Sequence, residues 1–306
     1  MYKKILLPLD GSPLSESALP YARFLATALH VPVELLHAID PDIIALSGSP
    51  RYVSSEQSLA ESLTDRNLRY LAKVESLFPE PARVSCSVAV SRAEELILAK
   101  ARTEPSTLIV MATHGYSGIR RWLLGSIAEK VLHGATNPLL LIRATEEDTK
   151  REVVSLKTII VPLDGSPLAE MAIPYAVELA SALDLDITLV RALALPAPIS
   201  MAEDQAENGQ EVGDLMGKEA QDYLNEKAER LRAQGVKKIS TAAVAGPAAE
   251  TIITLAEEKP QSLVVMCTHG KSGVRGWILG SVTERVTRHA NEPVLVIRAS
   301  SEQGAP

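Results

Sequence analysis

Ile5-Leu-Leu-Pro-Leu-Asp-Gly-Ser-Pro-Leu14 returns as Ile159-Ile-Val-Pro-Leu-Asp-Gly-Ser-Pro-Leu168, displaced by 154 residues. In each copy a short aliphatic run ends in Asp-Gly-Ser-Pro. The run suits a strand buried on both faces, and the Gly-Ser-Pro that follows suits a tight turn into a capped helix. Pro20-Tyr21-Ala22 returns as Pro174-Tyr175-Ala176 at the same displacement. Leu108-Ile-Val-Met-Ala-Thr-His-Gly115 matches Leu263-Val-Val-Met-Cys-Thr-His-Gly270, now displaced by 155. Trp122, Gly125-Ser126 and Pro138 return as Trp277, Gly280-Ser281 and Pro293, so a net one-residue insertion lies between the blocks of the second copy.

A period this long exceeds any solenoid repeat, so the chain is a tandem duplication of domain-sized units. Its 306 residues agree with that, since a domain takes roughly 100–200 residues. The expected domains are 1–146 and 153–300, joined by the charged stretch Thr145-Glu-Glu-Asp-Thr-Lys-Arg-Glu152. Strands are expected at Lys4–Leu9, Pro32–Ala38, Arg83–Val90, Thr107–Ala112 and Pro138–Ile142. Helices are expected at Pro13–Leu29, Ser58–Phe78, Arg92–Arg102 and Ser126–His133. This alternation predicts right-handed crossovers and a doubly wound, Rossmann-like α/β domain in each copy. Asp40–Gln57 and Leu195–Gly217 are expected as long loops.

Ligands of open α/β sheets sit at the carboxyl ends of the strands, where strand order reverses. Two loops per copy fall there. The first is Pro8-Leu9-Asp10-Gly11-Ser12 and its repeat Pro162-Leu163-Asp164-Gly165-Ser166. It makes a good strand-to-helix turn with Ser12 as cap. Asp10 adds a carboxylate at the strand end, suited to a ribose hydroxyl or a metal. The second runs from Thr113-His114-Gly115-Tyr116-Ser117-Gly118 to Gly125-Ser126, and from Thr268-His269-Gly270-Lys271-Ser272-Gly273 to Gly280-Ser281. A glycine turn followed by a helix start offers N–H groups to phosphate. Ser126-x-x-Glu129 and Ser281-x-x-Glu284 are also predicted as capping boxes. His114 and His269 are expected to orient the turn rather than catalyse.

Composition narrows the partners. Hydrophobic residues make up 46% and charged residues 23%, the balance of a globular protein. A net charge of -7 repels a polyanion, and 4% aromatic residues leave few stacking platforms, so no nucleic acid is expected. No apolar run has the length of a membrane span, so no membrane partner is expected. The start resembles a strand rather than a leader, and Cys86 and Cys267 form no pair motif; a cytoplasmic location is expected. Gly270-Lys271-Ser272 ends like a phosphate-binding P-loop, but Val265 stands where the first glycine is required. No GxGxxG, GxSxG or HExxH motif occurs.

The Asp-Gly-Ser loop, the Thr-His-Gly turn and the final strands Pro138–Ile142 and Pro293–Ile297 resemble the universal stress protein family, over nearly the whole chain. The family motif Gly-x2-Gly-x9-Gly-Ser/Thr is matched as Ala112-x2-Gly115-x9-Gly125-Ser126 and Cys267-x2-Gly270-x9-Gly280-Ser281, with the first glycine replaced twice. The resemblance implies a five-stranded parallel sheet in each domain, with ATP or AMP at its edge. Asp10 and Asp164 would then contact ribose, or Mg2+ or Mn2+ brought by the nucleotide. Ala38 and Ala192 would line the adenine pocket. Gly115, Gly118, Gly125, Ser126 and Ile127 would hold phosphates, as would Gly270, Gly273, Gly280, Ser281 and Val282. Arg120, Arg121, Lys271 and Arg275 would add charge. The resemblance also implies an internal pseudo-dimer through the final strands and a homodimer of whole chains. The expected function is adenine-nucleotide sensing in stress response or signalling, without rapid turnover. The alternatives are a nucleotide-free interaction module and a slow ATPase or phosphotransfer enzyme.

Overall fold

The computed structural model describes residues 2–47, 53–113, 124–143, 153–193, 203–268 and 279–298. The chain divides into two compact units, Met1–Val154 and Ser155–Pro306. Unit one runs β1 (Lys4–Pro8), α1 (Pro13–Glu16), α2 (Leu19–Leu29), β2 (Val33–Ile39), α3 (Pro41–Ser47), α4 (Val53–Glu75), β3 (Val84–Val90), α5 (Ala93–Arg102), β4 (Thr107–Ala112), α6 (Ser126–Gly134), β5 (Leu139–Ile142). Unit two repeats the order with β6 (Thr158–Pro162), α7 (Pro167–Glu170), α8 (Ile173–Leu183), β7 (Asp186–Leu193), α9 (Glu203–Ala233), β8 (Ile239–Ala245), α10 (Ala248–Glu258), β9 (Ser262–Cys267), α11 (Ser281–His289) and β10 (Val294–Ile297).

In unit one the strands lie in the order β3-β2-β1-β4-β5, all parallel. Unit two has the same arrangement, β8-β7-β6-β9-β10. Strand order therefore reverses between β1 and β4, and between β6 and β9. The registers Ile5↔Leu108 and Ile159↔Leu263 bring the two motif-bearing strands side by side. Every residue of β4 and β9 is buried, as strands covered on both faces require. Ile5, Leu6, Leu7, Leu35 and Ile109 are all fully enclosed in the core of unit one.

Three expectations change. Pro13–Leu29 is two helices, not one. Pro20, at the start of α2, has no N–H for the carbonyl of Glu16, and its ring crowds that carbonyl; the helix breaks at Ser17-Ala18. Pro174 breaks α7 from α8 in the same way. Second, the long middle segments are partly helical: α3 lies within the expected loop 40–57, α4 begins at Val53, and α9 begins at Glu203. Third, Ser126 and Ser281 are not N-caps; they are the first helical residues, and Gly125 and Gly280 occupy the cap. The expected linker Thr145–Glu152 lies outside the described residues.

Candidate functional site

A cavity of about 210 Å³ opens at the carboxyl ends of β1 and β4, where the strand order reverses. β1 and its loop supply Pro8, Leu9 and Asp10; β2 supplies Leu36 and Ala38; β4 and its end supply Met111, Ala112 and Thr113. Gly125, Ser126, Ile127 and Ala128 from the start of α6 close one wall, and Ala93 and Ile97 of α5 another. The lining is mainly aliphatic, and Asp10 is the one ionisable side chain among the described lining residues.

The two helix starts at this edge differ in kind. At α1 the Ser12 hydroxyl accepts from Ser15 N at 3.1 Å, and Ser166 accepts from Ala169 N at 3.1 Å in unit two. Ser12 is only 2% exposed and lies outside the cavity lining, as does Gly11. These residues shape the loop; Gly11 and Gly165 turn it at φ +81° and +84°, a region closed to most side chains. At α6 and α11 no side chain caps the helix. Instead Gly125 N donates to Thr113 O at 2.8 Å, and Gly280 N to Thr268 O at 2.8 Å. Each bond ties a strand end to a helix start. Glycine offers no side-chain cap at either helix, and in unit one the first-turn residues Gly125–Ala128 line the cavity at the positive end of the helix dipole.

Asp10 is exposed at the strand end. Its Oδ1 accepts from Ser12 N at 2.9 Å and from the Ser12 hydroxyl at 2.6 Å, which fixes the carboxylate at the edge of the site. Asp164 accepts from Ser166 N at 2.9 Å in the same way. Next to Ala38, His37 is half-buried on the opposite face of β2. Burial holds its pKa below the usual value, against the backbone of Leu9 and the charge of Asp10, which favour the cation.

In unit two Ala192 and Val282 are half-buried, while Gly280 and Ser281 begin α11. Cys267, where unit one has Ala112, is buried at the end of β9. Burial pushes its thiol up to about 12; the Ala172 backbone opposes that rise and Asp164 adds to it. The thiol therefore stays protonated and unreactive at neutral pH. Thr283, in place of Ala128, donates to Cys267 O at 2.8 Å and fastens α11 to the strand.

The structure thus gathers Pro8, Leu9, Asp10, Ala38, Ala112, Gly125, Ser126 and Ile127 around one cavity. Gly115, Gly118, His114, Arg120 and Arg121, with Gly270, Gly273, His269, Lys271 and Arg275, lie outside the described residues. Sequence reasoning missed Leu36, Met111, Ala93 and Ile97. The spacing of Ala93, Ile97 and Ala101 on one face of α5 was the available signal. Among the described residues no group of three or more His, Cys, Asp or Glu side chains is placed to hold a metal. No described helix is long and apolar enough to cross a membrane.

Each unit is a doubly wound parallel α/β domain, and in unit one a cavity opens at the strand crossover. The sequence model of the universal stress protein family matches residues 1–143 and again 155–298. The chain belongs to that family, with two copies in tandem. A universal stress protein of Mycolicibacterium smegmatis is 25% identical over 300 residues, covering 96% of both chains. One from Methanocaldococcus jannaschii is 32% identical over 148 residues, which is 48% of this chain and 85% of the relative. The crystal structure of a universal stress protein from Archaeoglobus fulgidus shares the fold with a TM-score of 0.66 and 19% identity, covering 98% of this chain and 97% of that one.

Proposed function

We propose that the chain binds an adenine nucleotide, ATP or AMP, at the strand crossover of each unit, and serves in stress response or signalling as a nucleotide sensor without rapid turnover. The observation that carries this reading is the pair of helices, α6 and α11, that begin on glycine with no side-chain cap beside the strand ends. Their N–H groups suit phosphate oxygens. The aliphatic wall of Leu36, Ala38, Ile97 and Met111 suits the flat base. Asp10 and Asp164, held by their own turns, suit a ribose hydroxyl. Mg2+ or Mn2+ would come with the phosphates and share these carboxylates. With Asp10 as the sole ionisable group of the described lining and its Oδ1 already engaged by Ser12, the cavity favours binding over hydrolysis.

Ala112 and Cys267 in place of the first motif glycine favour the second reading, an interaction module that holds no nucleotide. Gly125→Asp separates the two. Gly125 has φ -61°, so the substitution adds no backbone strain. An aspartate there caps α6 and stabilises it, while its charge repels phosphate from the same N–H groups. Mass spectrometry of nucleotides released on denaturing the purified protein should find an adenine nucleotide, reduced by half in Gly125→Asp. No released nucleotide, with no binding on addition of ATP, would favour the interaction module.

A further inference from the structure

We infer that Tyr70 and Tyr223 are positioning residues for the two sites: each clasps the one-turn helix behind the Asp-Gly-Ser loop and so holds the carboxylate-bearing turn in its ligand-ready form. This rests on the nucleotide reading above for the identity of the ligand.

The loop needs an outside brace. α1 and α7 have four residues each, and a single turn has little stability by itself. Pro20 and Pro174 cut these turns off from the longer helices that follow. The brace comes from far along the chain. Tyr70 on α4 donates its hydroxyl to Glu16 Oε1, the last residue of α1, at 2.8 Å. Tyr223 on α9 donates to Glu170 Oε1, the last residue of α7, also at 2.8 Å. The Tyr70 ring reaches the other end of the loop as well: a Cβ added at Gly11 would lie 4.0 Å from its Cζ. One side chain therefore lies beside the glycine that turns the loop and bonds the helix that ends it.

The same bond is built twice on otherwise different surroundings. α4 has 23 residues and α9 has 31. In unit one the Tyr70 ring meets His37 edge-on, with centroids 6.2 Å apart. In unit two Arg191 replaces His37 and lies 5.2 Å from the Tyr223 centroid, with Lys227 at 5.4 Å. Lys227 also bonds Glu170 Oε2 at 2.6 Å. The clasp of unit two thus has two cation–ring contacts and an ion pair beyond the hydroxyl bond. Removing one hydroxyl should loosen unit one more than unit two.

The test uses the full chain. ATP titration is run for Tyr70→Phe in the Gly280→Asp background, which leaves the unit-one site, and for Tyr223→Phe in the Gly125→Asp background. Loss of one hydroxyl-to-carboxylate hydrogen bond, acting on the site only through the loop, predicts about a three- to ten-fold rise in Kd for Tyr70→Phe, and a smaller rise for Tyr223→Phe. Glu16→Gln keeps an acceptor and should hold Kd near the parent value, whereas Glu16→Leu should match Tyr70→Phe. Hydrogen exchange without ligand should quicken at amides 10–17 in Tyr70→Phe, with the central strands unchanged. A fall in melting temperature with Kd and loop exchange both unaltered would overturn the positioning role. Failure of the unaltered chain to bind ATP would overturn the nucleotide reading instead, and the exchange measurement would still decide whether the clasp holds the loop.

Discussion

His37, half-buried on β2, ties the stability of unit one to pH. Its Nδ1 is buried with no hydrogen-bond partner among the described residues. Burial lowers its pKa and the charge of Arg66 adds to that, while Leu9 and Asp10 pull the other way. A histidine whose folded pKa lies below its unfolded value binds fewer protons when folded. Its neutral form is therefore stabilising at high pH, and that contribution is lost as pH falls below about 6.5. His37→Phe keeps a ring against Tyr70 and cannot take up a proton. Urea unfolding at a series of pH values should show unit one losing stability as pH falls below about 6.5 in the parent, and a flatter curve in His37→Phe. An unchanged curve would show that His37 is not the group responsible. The family resemblance pointed to Ala38, which lines the cavity. It did not expose His37, whose role depends on a tyrosine from a distant helix.

At the level of elements, caps and breaks decide how much the sequence reveals. The strand positions follow from aliphatic runs, and the first turn follows from Asp-Gly-Ser-Pro. The break before α2 is also written in the chain, at Pro20, yet the apolar pattern on both sides of it favours one continuous helix. The capping boxes are displaced by one residue. The cap falls on residue 125, whose N–H donates to Thr113 O, so a backbone bond to the strand end accompanies the shift away from the local cap preference of Ser126. Elements are also pinned differently in the two units. In unit one Glu34 on β2 accepts from Lys4 of β1 at 2.9 Å and from Lys100 of α5 at 2.8 Å. Burial alone would raise the Glu34 carboxyl; the Lys100 and Lys4 hydrogen bonds outweigh it, and the pKa falls below its usual value. In unit two Thr188 and Ser240 hydroxyls meet at 3.0 Å instead. A depressed carboxyl stabilises above its unfolded pKa and loses that contribution as pH drops through the folded value. Glu34→Gln should cost unit one about 1–3 kcal/mol at neutral pH, and that cost should shrink as pH falls below the ordinary carboxylate value, as read by urea midpoints. Equal midpoints at pH 7 would contradict the ion triad as a fastener of β2.

At the scale of the whole molecule, duplication is the most readable property, because two copies of one motif locate the strand crossover in both units from the residues alone. The family follows from the same motifs. What the sequence hides is nonlocal: the α5 wall of the cavity, and the tyrosine clasps between segments that share little sequence. These depend on which helices a parallel sheet carries on each face, and periodicity alone does not specify that. The central claim is that both crossovers hold adenine nucleotide. Calorimetric titration of the full chain, stripped of bound nucleotide, with ATP in the presence of Mg2+ tests it most directly. The account predicts two sites per chain, falling to one in Gly125→Asp and to one in Gly280→Asp. No heat of binding in the unaltered chain, or a stoichiometry that neither substitution changes, would contradict it.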